Sequence, residues 1–250
     1  MEFDNQTVVV TGGGSGIGAE IALAFGRRGA HVVLTYLSSA DGAKDVADSI
    51  RAAGGNATAL QADLTDEASV VEIMRIAASL GRIDVVVANA GGLIQRLPCV
   101  EMDLKFWKDA MALNLDSVFL CCKEALSYMT KTNSGKLVLV SSLAGHDGGG
   151  PGASHYAAAK GAILSYTRAL AKEVGPSGIR VNAVAPGLIA TRFHDQFNTP
   201  EGRAATVSRT PLRREGRASD VASAVLFLAS EHADFITGEV LEVNGGLGMY

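Results

Sequence analysis

The stretch "TVVVTGGGSGIGAEIALAFGRRGAHVVLTY", residues 7–36, decides the fold. Thr7–Thr11 is an apolar run of strand length, and a glycine-rich turn follows it. From Ile17 the pattern changes period: Ile17, Ile21, Ala24 and Phe25 fall on one face of a helix. Arg27, Arg28 and Gly29 then supply the cations and the glycine that end such a helix. His31–Tyr36 is a second strand. The alternation continues through "ATALQAD" (57–63), "IDVVVANAG" (83–91), "KLVLVSS" (136–142), "IRVNAVAPG" (179–187) and "GEVLEVNGG" (238–246), four of these five following a helical segment. Near-continuous Val, Ile and Leu without polar alternation marks strands buried on both faces. The expectation is therefore an α/β fold with about seven strands: a doubly wound parallel sheet with helices on both faces.

Composition narrows the function. With 250 residues, 48% hydrophobic and 19% charged, the chain suits one large soluble unit, and no linker or low-complexity segment divides it. One domain over 1–250 is expected. A net charge of -4 with scattered Lys and Arg gives no basic stripe, so nucleic acid is not an expected partner. Cys99, Cys121 and Cys122 are too few for a disulfide framework and read as core residues in a reducing compartment. The start, "MEFDNQTVVVTGGG", lacks the basic flank and apolar run of a signal peptide, and no apolar run reaches membrane-spanning length. A cytoplasmic location, with no membrane partner, is the expectation.

In a doubly wound sheet, ligands bind beyond the carboxyl ends of the strands. At the first end, Gly12, Gly16 and Gly18 would let the backbone turn sharply and face its N–H groups toward an anion at the helix start. A glycine-rich turn alone is a weak signal, because the common dinucleotide fingerprint has a tighter first spacing. At "QADLTD", Asp63 could accept from an adenine amino group, or Asp63 or Thr65 could cap the next helix. Asn89, Ala90 and Gly91 end the next strand with small residues against which a ribose could lie. "LVSSLAG" ends the following one with two hydroxyls, Ser141 and Ser142.

Downstream, Tyr156 and Lys160 stand four positions apart, on one helical face, just after "GGGPG". A free phenol has a pKa near 10, so about one molecule in a thousand is phenolate at neutral pH. An ammonium one turn away stabilises the phenolate and makes the tyrosine a proton donor or acceptor.

Thr11-Gly12-(x)3-Gly16-Ile17-Gly18, Asn89-Ala90-Gly91, Asn114, Ser142, Tyr156-(x)3-Lys160 and Pro186-Gly187, in this order over nearly the whole chain, resemble the short-chain dehydrogenases/reductases. The resemblance is closest to the branch holding the 3-oxoacyl-carrier-protein reductases and the bacterial glucose and polyol dehydrogenases. It implies a Rossmann-type fold and hydride transfer between a nicotinamide and a carbonyl or secondary alcohol, with no metal. By the match, Tyr156 is the general acid/base, Lys160 lowers its pKa and holds the ribose, and Ser142 bonds the substrate oxygen. Asn114 would hold a water that relays protons from Lys160, and Ser141 would be structural. The cofactor would contact Gly12, Gly14, Ser15, Gly16, Ile17 and Gly18; Asp63 and Leu64; Asn89, Ala90 and Gly91; and Pro186, Gly187, Ile189 and Thr191. The resemblance also implies a homotetramer.

Cofactor choice rests on the end of the second strand, where Thr35, Tyr36, Leu37, Ser38 and Ser39 offer no carboxylate for a ribose diol. That favours NADP(H), with the hydroxyls of Tyr36, Ser38 and Ser39 toward a 2'-phosphate, and keeps NAD(H) as the alternative. No Arg follows the strand, and Ser15 replaces a basic residue in the turn, so the phosphate lacks a strong ion-pair partner. The segment 188–217 should cover the substrate, with Phe193, Phe197, His155, Leu93 and Ile94 expected near it, although plain packing explains each equally well. A 3-oxoacyl-type ketone is the first expectation and a sugar or polyol the alternative; a catalytically inactive cofactor-binding sensor is the third reading, against which Ser142, Tyr156 and Lys160 are all present. "NAGGLIQRLP" departs from the pattern of the carrier-protein reductases, which puts docking of an acyl-carrier protein in question. The remaining histidines read as surface or loop residues, and Ser219 as the cap of the helix from Asp220.

Overall fold

A computed structural model describes residues 2–250. Seven strands form one parallel sheet in the order β3-β2-β1-β4-β5-β6-β7. They are β1 (Thr7–Val10), β2 (His31–Tyr36), β3 (Asn56–Gln61), β4 (Ile83–Ala88), β5 (Gly135–Val140), β6 (Ile179–Pro186) and β7 (Val240–Val243). The seven strands read from the sequence are these seven.

The missing polar alternation has a direct cause. Along β1, Val8 and Val10 join the apolar layer that contains Ile21 and Phe25 of α1 (Gly16–Gly26) and Val221 and Val225 of α10 (Ala218–Ala229). Val9, between them, joins the opposite layer with Met74 of α3 (Glu67–Leu80), Met129 of α5 (Ser117–Thr132) and Ile163 of α7 (Ser154–Val174). Both faces are covered, so successive side chains are buried, each worth about 1.5–3 kcal/mol of transfer free energy.

Five further helices complete the order: α2 (Ala40–Ala52), α4 (Leu104–Met111), α6 (Ala144–Asp147), and then α8 (Arg192–Phe197) with α9 (Pro200–Arg209). Strand order runs outward from β1 to β3 and then returns to β4 on the other side of β1. This reversal opens a crevice above β1 and β4, the place where doubly wound sheets bind ligands.

Three expectations are corrected. Cys99 is exposed, since it begins a short 3-10 turn over Cys99–Glu101 outside the layers; only Cys121 and Cys122 are buried. The cap of α3 is Asp66, whose carboxylate accepts from Ser69 N at 3.0 Å, while Asp63 accepts from Thr65 N and Oγ1 in the preceding turn. α10 begins at Ala218 with Arg217 as its cap, and Ser219 lies inside it; the carboxylate of Asp220 accepts from Arg217 N at 2.7 Å.

Candidate active site

The glycine-rich turn is held by hydroxyls and amides from the flanking strands. Thr35 Oγ1 accepts from Gly12 N at 3.2 Å, and Thr35 O accepts from Gly13 N at 2.8 Å. Thr11 Oγ1 accepts from Asn89 N at 2.9 Å and from Ala90 N at 3.0 Å. Asn89 Nδ2 donates to Thr11 O at 2.9 Å. The turn is thus tied to β2 and β4 at once. Sequence reading gave Asn89 a role beside a ribose and Thr35 none; their side chains hold the turn, and the polar ends of both strands were the only signal for it.

Two glycines show why the turn needs them. A Cβ on Gly18 would lie 2.2 Å from Gly12 O and 2.5 Å from Asn89 Nδ2, so no side chain fits where helix and turn meet. Gly16 has φ +54, which favours glycine, and a Cβ there would meet nothing closer than Thr191 Cγ2 at 3.7 Å. Gly16 lines the cleft at the start of α1. No side chain caps that start and no acid stands in its first turn, so its N–H groups suit a phosphate.

At the other end of the crevice, α7 brings Tyr156 and Lys160 beside Ser142, which follows β5. The Ser142 hydroxyl stands beside the Tyr156 phenol and acts on its ionisation. Ser142 Oγ accepts from Ala144 N at 3.2 Å, which fixes the hydroxyl's position. Lys160 is 3% exposed, and its Nζ donates to Val140 O at 2.8 Å. Burial lowers the Lys160 pKa to about 8. Burial raises that of Tyr156, with the Ser142 hydroxyl opposing it. The expected lowering of the phenol by the lysine is absent from this geometry: Nζ lies 5.7 Å from the ring centroid and is turned toward Val140. Ser141 is structural as expected, buried with its Oγ donating to Lys160 O at 2.8 Å.

Asn114 sits in a widened helical turn, Ala112–Asp116, between α4 and α5. Ser117 N reaches back five residues to Ala112 O, and Ser117 Oγ donates to Leu113 O at 2.7 Å, the carbonyl that a regular turn would have bonded to Ser117 N. The Asn114 amide accepts from Gly92 N and donates to Gly92 O, each at 2.9 Å, and donates to Ala110 O. Its side chain pins the loop after β4. A relay water would therefore need a backbone group at Asn114 rather than the amide.

The cleft brings together Gly12, Ser15, Gly16, Ile17 and Gly18 with Tyr36, Asp63, Leu64, Asn89, Ala90 and Gly91, and with Ser142, Tyr156, Lys160, Pro186, Gly187, Ile189 and Thr191. Gly14, Ser38, Ser39 and Asn114 do not line it. Gly14 packs on the start of α2, where Ser39 Oγ donates to Gly14 O at 3.3 Å, so that hydroxyl's proton is committed. Of the side chains expected near substrate, Phe193 lines the cleft, 6.0 Å from the Tyr156 ring, and Phe197 packs behind it at 5.1 Å. His155 is buried, with Nε2 2.9 Å from Leu93 O and Phe106 edge-on to its ring, so neither it nor Leu93 faces the cleft. Ile94 is exposed with φ +60 and lies outside the lining.

Residues 12–248 match the family model described as enoyl-(acyl carrier protein) reductase. The chain is 42% identical over 245 residues to cis-4-hydroxycyclohexanecarboxylate dehydrogenase of Sinomonas cyclohexanicum, covering 98% of this chain and 97% of that protein. It is 38% identical over 250 residues to 3-oxoacyl-(acyl-carrier-protein) reductase of Escherichia coli K12, covering all of both. Among solved structures, a 7α-hydroxysteroid dehydrogenase complexed with NADH and 7-oxoglycochenodeoxycholic acid superposes with a TM-score of 0.93 at 35% identity, covering 98% of this chain and 95% of that one. A Beutenbergia cavernae protein provisionally assigned as an NAD(P)-dependent gluconate 5-dehydrogenase, solved with NADP at low occupancy, gives a TM-score of 0.92 at 37% identity, covering 99% of each chain.

Proposed function

The chain belongs to the short-chain dehydrogenase/reductase family of NAD(P)-dependent oxidoreductases, and from that membership we propose that it is a ketoreductase favouring NADP(H). The observation that carries the reading is the placement of Ser142, Tyr156 and the buried Lys160 at the end of β5, in the same crevice as the glycine-rich turn. When bound, the nicotinamide supplies or accepts the hydride and, oxidised, adds a positive charge. Ser142 holds the substrate oxygen, and Tyr156 gives that oxygen its proton on reduction or removes it on oxidation. Lys160 holds the ribose and carries positive charge into a buried site. Burial alone raises the phenol's pKa, so Tyr156 is set as a proton donor, the role a carbonyl reduction requires.

Residues 188–217 form the cover over the substrate. In support, Ile189 pairs with Gly216 at the base, and Arg203 bridges Asp195 and Glu215 within the segment. The absence of a carboxylate from Tyr36 to Ser39, at the end of β2, supports NADP(H), with NAD(H) as the alternative and Asp41 the nearest acid, in the first turn of α2. A 3-oxoacyl-type or cyclic ketone is the substrate class nearest the named relatives. Exposed Leu104, Trp107 and Phe119 on α4 and α5 support a homotetramer, and three free cysteines support a reducing, cytoplasmic setting. No helix of the described residues is long and apolar enough to cross a membrane.

The test is the initial rate of NADPH and of NADH oxidation with a short 3-oxoacyl thioester, a cyclic oxo acid, sugars and diketones. Turnover of the thioester or the oxo acid, faster with NADPH, is expected. No turnover of any carbonyl would overturn the ketoreductase reading.

A further inference from the structure

We propose that Arg192 binds the pyrophosphate of the dinucleotide and supplies the cation that the glycine-rich turn lacks; this rests on the reading of the crevice as a dinucleotide site. Ser15 leaves the turn without a basic side chain, no Arg follows β2, and Lys44 on α2 is paired with Asp48 and does not line the cleft. Among all the side chains lining the cleft, Lys160 and Arg192 are the only lysine or arginine. Lys160 is committed at the catalytic end, bonded to Val140 O.

Position selects which phosphate Arg192 meets. Thr191 borders Gly16 directly, with its Cγ2 3.7 Å and its Cβ 3.8 Å from the point a Gly16 Cβ would occupy. Arg192 follows directly and begins α8, so it enters the cleft beside the turn that faces the middle of a dinucleotide. The adenosine end lies elsewhere, at the ends of β2 and β3, where Tyr36, Asp63 and Leu64 line the cleft and the charged side chain is an acid. A 2'-phosphate belongs to that end and a pyrophosphate to the Gly16 end.

The state of the side chain agrees. Arg192 makes no ion pair or side-chain hydrogen bond among the described residues, whereas Arg203 and Arg214 of the same covering segment are paired with Asp195 and Glu215 and with Asp220. An exposed guanidinium bordering a cleft with no partner of its own is free to form a two-pronged contact with phosphate oxygens. Because it sits on the segment that covers the substrate, that contact would also draw the cover onto the bound cofactor, with Phe193 next in sequence brought over Tyr156.

The experiment is calorimetric titration of the purified wild type, Arg192→Leu and Arg192→Lys with NADPH, NADH, ADP-ribose and adenosine 2'-monophosphate. Arg192→Leu should weaken NADPH, NADH and ADP-ribose by a common factor of about tenfold or more and leave adenosine 2'-monophosphate unchanged. Arg192→Lys should recover part of the loss, and the melting temperature of the ligand-free variants should match the wild type because no internal contact is removed. Unchanged binding of NADPH and NADH would overturn the proposal, and so would a loss confined to NADPH and adenosine 2'-monophosphate, which would move Arg192 to the 2'-phosphate. Wild-type protein that binds neither cofactor would instead defeat the ketoreductase reading on which the proposal stands.

Discussion

Lys160 Nζ donates to Val140 O at 2.8 Å, a neutral carbonyl, inside a site where the lysine is almost fully enclosed. The ammonium therefore has a hydrogen-bond acceptor but no counter-charge, and burial lowers its pKa to about 8. A charge held this way is ready for a negatively polarised partner, whether a ribose hydroxyl or a phenolate.

That arrangement has a cost visible in stability. The folded pKa, about 8, lies below the ordinary 10.5, so between these values the unfolded chain binds more protons than the native one, and stability rises with pH. Below pH 8 the penalty is complete and constant. Relative to Lys160→Met, which has no such titration, the wild type should gain on the order of 2 kcal/mol between pH 7 and pH 10. Urea unfolding of both proteins across that range measures it; parallel curves would show that Lys160 ionises normally. The range stops at pH 10 because Tyr156, raised by burial, contributes with the opposite sign above it.

Tyr156→Phe removes only a hydroxyl at the wall of the cleft, so the fold should persist. Loss of the proton donor should lower kcat by about 10²–10⁴-fold, the usual contribution of general acid–base catalysis, while cofactor affinity stays unchanged. Steady-state rates beside a cofactor titration decide it, and a variant retaining wild-type kcat would remove Tyr156 from the reaction.

The seven strands were legible because burial on both faces leaves an unmistakable Val, Ile and Leu signature, as at Val8, Val9 and Val10. The candidate pair was legible because Tyr156 and Lys160 are neighbours along one helix. Contacts made across the sequence were hidden. Nothing local says that Thr35 bonds Gly12, that Ser39 spends its proton on Gly14, or that His155 turns inward to Leu93. Direction was also hidden: a four-residue spacing puts Lys160 on the face of Tyr156 but does not say that its ammonium turns toward Val140.

Gly18→Ala tests the turn itself. The added Cβ would stand 2.2 Å from Gly12 O, a backbone atom that cannot move without breaking the bonds to Thr35 and Asn89. Overpacking of this kind costs about 1–3 kcal/mol, and the displaced turn should lose most of its cofactor affinity. Thermal unfolding and cofactor titration read the two effects, and wild-type values for both would show the turn to be pliable.

Thr11→Val is the complementary deletion. It keeps the volume but leaves Asn89 N and Ala90 N without their shared acceptor in a nearly closed site. Two stranded donors should cost about 2–4 kcal/mol, and Thr11→Ser, which restores the acceptor, should recover most of it. Denaturant midpoints for the three proteins measure this, and equal midpoints would mean that water takes over from the hydroxyl.

His146 joins the segment after Ser142 to the end of the chain. Its Nε2 lies 2.9 Å from Glu242 Oε1 on β7, its ring stacks on Tyr250 with centroids 4.3 Å apart, and Asn244 Nδ2 braces both Glu242 and Gly248 O. Ala144 N, two residues earlier, donates to Ser142 Oγ, so movement of α6 would displace the hydroxyl beside Tyr156. His146→Ala should therefore lower kcat by about threefold to tenfold, since small misplacements of a reacting group are costly, and leave cofactor affinity at the far end of the crevice unchanged. His146→Gln, which keeps a donor for Glu242, should recover part of the rate. An unaltered kcat in His146→Ala, together with a lowered melting temperature, would reduce the pair to a packing contact with no hold on Ser142.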